Sequence, residues 1–204
     1  MIETKRKILD AAVRVFSEQG YGGTSLRDII ATAQVNLAAI HYHFGSKEQL
    51  LDAVIAENVR PINEQRLELL TRLEERGGPV AVEEILEAFL GPAMLVAEQD
   101  DDFPRMMGRL LGEGLMTTVV RKHFTETGKR FIAALQRTLP ELSESELGWR
   151  IHFMIGTMAH CLCRKPEEMP GPPVAQPSEM LKEAVAFLAA GFQAPPARQR
   201  GEAI

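Results

Sequence analysis

The polar residues able to do chemistry in this chain crowd into one short stretch, Thr24 to Lys47 (TSLRDIIATAQVNLAAIHYHFGSK). Asn36, His41, Tyr42 and His43 stand close together there, with Ala38 and Ala39 between them. Amide, imidazole and phenol groups bond to base edges or phosphates, and small alanines let a helix lie deep in a groove. Arg27 and Lys47 add cations at either side. Lys47 falls at a helix start, where free N–H groups and the helix dipole already favour an anion. A cation at that point suits a phosphate better than it suits helix stability. The chain has no glycine-rich phosphate loop, no nucleophile elbow and no paired carboxylates that periodicity sets on one cleft. That argues against an enzyme. The chemistry on offer is non-covalent recognition of nucleic acid.

The elements that must hold these residues are two short helices and the start of a third. Thr24 or Ser25 caps the first, with Leu26, Ile29, Ile30 and Ala33 on its apolar face. Val35 breaks the pattern in the turn. Asn36 then caps a second helix whose apolar positions are Leu37, Ile40 and Phe44, and Gly45 ends it. Ser46 caps the next. Two crossed helices joined by three or four residues form a helix-turn-helix, which sets its second helix in the DNA major groove.

The motifs between Gly20 and Leu51 extend this reading. They are Gly20-Tyr21, Thr24-Ser25, Asp28-Ile29-Ile30, Gln34-Val35-Asn36, Ile40-His41-Tyr42-His43-Phe44 and Ser46-Lys47-Glu48-Gln49-Leu50. The run resembles the DNA-binding segment of TetR/AcrR-family transcriptional regulators. It departs from that pattern twice. Gln34 replaces the turn glycine, at a cost on the order of 1 kcal/mol if the position is left-handed. His41 replaces the first aromatic, so its contact should differ. The resemblance implies a homodimeric regulator, as a rule a repressor. Arg27, Asn36, Ala39 and His41 would then face bases, with Leu37 beside them, while Thr24, Ser25, Tyr42, His43 and Lys47 would hold phosphates.

At 204 residues the chain can hold a small N-terminal domain packed on a larger one. Its net charge of −5 is divided unevenly. Residues 1–50 carry six Lys/Arg against five Asp/Glu, and the remainder seventeen against twenty-three. A near-neutral reader needs few, well-placed contacts. With two close cysteines, Cys161 and Cys163, no signal peptide and no membrane-length apolar run, the expected setting is cytoplasmic. Cys-x-Cys lacks zinc spacing, and on a helix the two point about 200° apart, so no metal or cofactor is expected.

Thr4 to Gln19 reads as the first helix, with Gly20 as its C-cap. From Ser46 a long helix runs to about Arg76, kinked at Pro61, and Gly77-Gly78-Pro79 stops it. Everything after Val80 is helical in pattern. Val82–Ala97 is expected to break at Gly91-Pro92, with helices following over Phe103–Leu115, Thr117–Leu139, Ser143–Cys163 and from Ser178 onward. Lys165 to Pro177 holds five prolines and reads as a loop.

The penultimate helix is apolar nearly all round, through Trp149, Ile151, Phe153, Met154, Ile155, Met158 and Leu162. It is buried on every side either within the core of a single subunit or, more simply, against a second copy, which would set two readers one DNA turn or a multiple apart, roughly 34–36 Å. Methionines at 94, 106, 107, 116, 154 and 158 either fill core gaps or line an adaptable apolar pocket. Glycines at 108, 112, 114 and 156 would leave room beside them. The candidate lining is Met94, Met106, Arg109, Leu110, Met116, His152 and Met154, with Arg109 and His152 as orienting groups, unless Arg109 pairs with Glu113 on the surface.

The expected molecule is therefore all-α. Residues 1–48 form a three-helix DNA-binding domain, residues 49–193 a ligand-binding and dimerisation bundle, and residues 194–204 a disordered tail. It would be a DNA-binding regulator, released from a palindromic operator on duplex DNA by a small apolar or acyl-type effector. The alternative is a helical dimeric interaction protein that does not bind DNA.

Overall fold

The computed structural model describes residues 2–99, 102–115, 119–163 and 177–195. Among these residues the chain is helical and carries no strand. Helix α1 (Ile2–Gly23) is interrupted where expected, at Gly20, whose φ of 75° and ψ of 167° leave helical space. Helices α2 (Leu26–Ala33) and α3 (Leu37–Phe44) form the crossed pair. Ser25, not Thr24, caps α2 in a capping box, accepting from the Asp28 N–H while the Asp28 carboxylate accepts from the Ser25 N–H at 2.8 Å. Gln34 ends α2 in the left-handed region (φ 54°, ψ 44°), so the turn carries the strain foreseen for a non-glycine there.

Helix α4 (Lys47–Glu75) is opened by a second capping box, Ser46 with Gln49, and runs through Pro61. Helix α5 (Val82–Gln99) also runs on through Gly91 and Pro92, contrary to the expected break. Phe89, Leu90, Ala93 and Met94 are all buried around that point, and burial of this kind offsets the one lost backbone bond. Helices α6 (Asp102–Gly112), α7 (Val119–Thr138), α8 (Glu144–Cys163) and α9 (Pro177–Gln193) complete the bundle. Ser143 and Glu146 form the expected capping box at the start of α8. The expected loop and most of the tail lie outside the described residues. No helix among the described residues is long and apolar enough to cross a membrane.

Two apolar cores share this framework. The first joins Ile8, Ala12, Phe16, Ile29, Ile40 and Phe44 to the first half of α4, from Leu50 to Ile62, and to Phe103, Met106 and Leu110 of α6. The second gathers α5, α7, α8 and α9 around Leu70, Leu86, Phe131, Leu135 and Phe192. Helix α4 contributes to both. One continuous helix therefore spans the two.

Candidate nucleic-acid interface and ligand cavity

Helix α3 turns Ile40 and Phe44 inward, with Ala39 half-buried against the same core and His43 half-buried. Ile40 and Phe44 are buried, whereas Asn36, Ala38, His41 and Tyr42 are exposed. Local bonds set what these groups still offer. Asn36 caps α3, its Oδ1 accepting from the Ala39 N–H at 2.9 Å, which leaves both amide donors for a partner. His41 Nδ1 lies 2.9 Å from the Gly45 carbonyl oxygen. A carbonyl only accepts, so Nδ1 carries the hydrogen and the neutral ring presents Nε2 as an acceptor. Arg27 is exposed on α2. Tyr42, three-quarters exposed, packs edge-on to the half-buried His43 at 5.1 Å.

Several expected contacts are placed otherwise. Thr24 is buried, and its hydroxyl donates to the Gly20 carbonyl at 2.6 Å, closing the end of α1 rather than facing a phosphate. Ser25 is exposed, but its hydroxyl is occupied by Asp28 on both the donor and acceptor sides. Those same bonds hold the Asp28 carboxyl below its ordinary range. Leu37, on the first turn of α3, is half-exposed, on the side of the helix open to a partner as expected of a residue beside the base-facing ones. Lys47 is half-buried and already engaged. Its ammonium donates to the Tyr21 carbonyl at 2.5 Å and sits 4.1 Å over the Tyr21 ring. Burial, then the neighbouring Glu48 carboxylate, pushes the Tyr21 phenol up to about 12.

The short turn of α1 beyond Gly20, which carries Tyr21, is held from the far side as well. The carboxylate of Glu113, at the end of α6, accepts from the Tyr21 and Gly22 N–H groups, each at 3.2 Å. At the other end of α6, Asp102 accepts from the Ser17 hydroxyl at 3.0 Å. Two carboxylates thus pin α6 along α1, with Phe103, Met106 and Leu110 buried between them.

The opposite side of α6 faces a cavity of about 530 Å³. Met107 and Gly108 line it from α6, Phe89 from α5, Phe124, Gly128 and Ile132 from α7, and Ile151, Met154, Ile155 and Met158 from α8. Arg121 and Lys129 stand exposed at its edge. Of the expected lining only Met154 is present among the described residues. Met106 and Leu110 point the other way, into the core against α1. Met94 is buried outside the lining, and Arg109 also lies outside it. His152 is exposed, edge-on to Trp149 and Phe153 on the outer face of α8. Met116 lies outside the described residues. Of the glycines expected to leave room, only Gly108 does so; Gly112, Gly114 and Gly156 are exposed. The missed residues sit mostly on α7, where Phe124, Gly128, Phe131, Ile132 and Leu135 follow helical three–four spacing. That stripe was visible, but nothing in it distinguishes a cavity wall from a packed face.

A second groove of about 590 Å³ lies by Gly78 and Pro79, but its charges are matched internally, Glu74 pairing with Arg130 and Arg137. The outer face of α8 and α9 is unusual in another way. Trp149 and Phe153 are each 61% exposed and stack with centroids 6.0 Å apart, and Phe187 is 73% exposed. Large clustered aromatics on a surface mark a protein contact.

Comparison with known proteins gives a consistent picture. Residues 8–54 match the family model for bacterial regulatory proteins of the tetR family, and residues 87–191 match a tetracyclin repressor-like C-terminal domain. An HTH-type transcriptional repressor of Mycobacterium tuberculosis (strain ATCC 25618 / H37Rv) is 27% identical over 154 residues, 73% of each chain. An HTH-type transcriptional regulator of Bacillus subtilis (strain 168) is 41% identical over 56 residues, 28% of this chain and about a quarter (27%) of that protein's length. Among solved structures, AibR in complex with isovaleryl coenzyme A and operator DNA superposes with a TM-score of 0.62 at 20% identity, covering 90% of this chain and 97% of AibR. At that identity the likeness concerns the fold.

Proposed function

The chain belongs to the tetR family of bacterial regulatory proteins, and from that premise we propose that it is a homodimeric transcriptional repressor, released from a palindromic operator by an apolar or acyl-type effector. The observation that carries this reading is α3, whose Ile40 and Phe44 anchor it while Asn36, His41 and Tyr42 stay at the surface.

Arg27, Asn36, Ala39 and His41 face bases. His41 Nε2, as an acceptor, favours an exocyclic amine, that of adenine or cytosine, and Asn36 offers donors to guanine or adenine acceptors. Tyr42, His43 and the remaining N–H groups of Lys47 hold phosphates, while Ser25, its donors spent on Asp28, serves as the cap of α2. Trp149, Phe153 and Phe187 meet their copies across a two-fold axis, which spaces the two readers by about one DNA turn or a multiple.

The cavity takes the effector. Its apolar walls suit an acyl chain, and Arg121 and Lys129 border its opening. The isovaleryl coenzyme A held by AibR is a ligand of that kind on the same fold. Filling the space beside Met107 and Gly108 displaces α6. Through Glu113 that displacement reaches the end of α1 at Tyr21 and Lys47, and so the seat of α3. The reducing cytoplasm is the setting such a regulator needs.

Selection from a random-sequence duplex pool, followed by salt titration, tests this reading. A palindromic consensus bound with a steep salt dependence is expected. Lys47→Ala should weaken binding evenly across sequences and flatten the salt slope by about one, whereas His41→Ala should change the preferred base. Absence of salt-dependent duplex binding would overturn the assignment.

A further inference from the structure

One side chain behind the cavity wall has no counterpart in the function described so far. Arg66, on α4, is 1% exposed. Its Nε donates to the Phe89 carbonyl at 2.7 Å and one terminal nitrogen to Asn63 Oδ1 at 3.2 Å. Among the described residues its other terminal nitrogen, Nη2, has only the thioether of Met158, at 3.7 Å. The guanidinium lies 4.1 Å over the Phe89 ring and 5.8 Å from that of Phe124. Among the described residues no carboxylate pairs with it, and burial alone pulls its pKa down to about 10. A buried cation is costly unless an anion meets it, and a thioether sulfur is a weak acceptor. Phe89, Phe124 and Met158 all belong to the cavity wall. The uncompensated charge is therefore one side chain away from the empty space.

We propose that Arg66 is the anion receptor of this cavity, and that the effector is a free carboxylic acid with an apolar body, seated acid-first. The inference rests on the reading of the cavity as the effector site and names the chemistry of its ligand. A planar guanidinium fork matches a carboxylate with two parallel bonds. Met158 is unbranched and flexible, so its sulfur can yield Nη2 to an entering oxygen without moving the backbone. A thioester or ester of the same acid carries no inward charge and gains nothing from Arg66. Because α4 also carries Leu50 to Ile62 of the reader's core, a pull on Arg66 acts on the helix that seats α3.

Calorimetric titration of the full-length protein with octanoate and with methyl octanoate separates the outcomes. Octanoate should bind at least about tenfold more tightly than its ester, the worth of a charge-assisted bond. Arg66→Met should abolish that preference while methyl octanoate still binds, and Arg66→Lys should keep part of it. Equal binding of acid and ester to the unmodified protein, or a preference that survives in Arg66→Met, overturns the assignment and leaves the cavity reading standing. Failure of both probes to bind a protein that still binds duplex overturns both. Should Arg66→Met not fold, the acid-against-ester comparison on the unmodified chain decides alone.

Discussion

The head formed by α1 to α3 and the bundle formed by α5 and α7 to α9 treat empty space in opposite ways. In the head Ile8, Ala12, Phe16, Ile29 and Ile40 fill the interior, all of them fully buried, and the chemistry is outside. A Cβ added at Gly20 would meet Glu113 Oε1 at 2.2 Å, and one at Gly45 would meet Gln49 Oε1 at 2.3 Å. Both glycines hold a φ of 75°. In the bundle, a Cβ at Gly128 would meet nothing within 4 Å, because that helix borders the cavity. A surface that must present a fixed pattern to a rigid duplex needs a scaffold without slack. A site that admits a small molecule needs slack kept open by the packing around it.

Substitutions on either side of that contrast sharpen it. The largest effect is expected at Gly20→Ala. The left-handed φ and the displaced Glu113 carboxylate together should cost about 2 kcal/mol or more, seen as a lowered Tm and a parallel loss of duplex binding. A variant as stable as the original would show that the head has slack after all. Next comes Gly128→Leu, in which the new side chain occupies the cavity. Helix propensity should raise stability by roughly 0.5–1 kcal/mol, while octanoate binding is lost by calorimetry. Unchanged ligand affinity would place the ligand elsewhere. The smallest is Gln34→Gly in the turn of the head, which relieves left-handed strain and should stabilise by about 0.5 kcal/mol once the extra freedom of the unfolded glycine is counted. A loss of stability in urea unfolding would mean that the Gln34 side chain contributes more than its backbone costs.

The head was readable in detail because its signals are local. A capping side chain, a left-handed turn and the spacing of Ile40 and Phe44 each involve residues a few positions apart. Less readable was which side chains fold back onto the backbone. Thr24 closes α1 on the Gly20 carbonyl four residues earlier, and Lys47 spends one donor across the chain on the Tyr21 carbonyl. In the bundle the amphipathic stripes were legible and their destinations were not. Met106 and Met107 are neighbours in sequence, yet one lies in the core against α1 and the other on the cavity wall. Adjacent helical positions differ by about 100°, so the helix's rotation against its neighbours assigns them.

The sequence by itself determined the helices, their caps, the two-helix reader and the apolar face of α8, because each follows from backbone preferences and periodicity within a few turns. Only the tertiary structure decided where an unfilled volume would lie and what would border it. A cavity is what remains when packed faces from distant elements fail to meet, and a charge such as Arg66 becomes a buried cation only once those faces have closed over it.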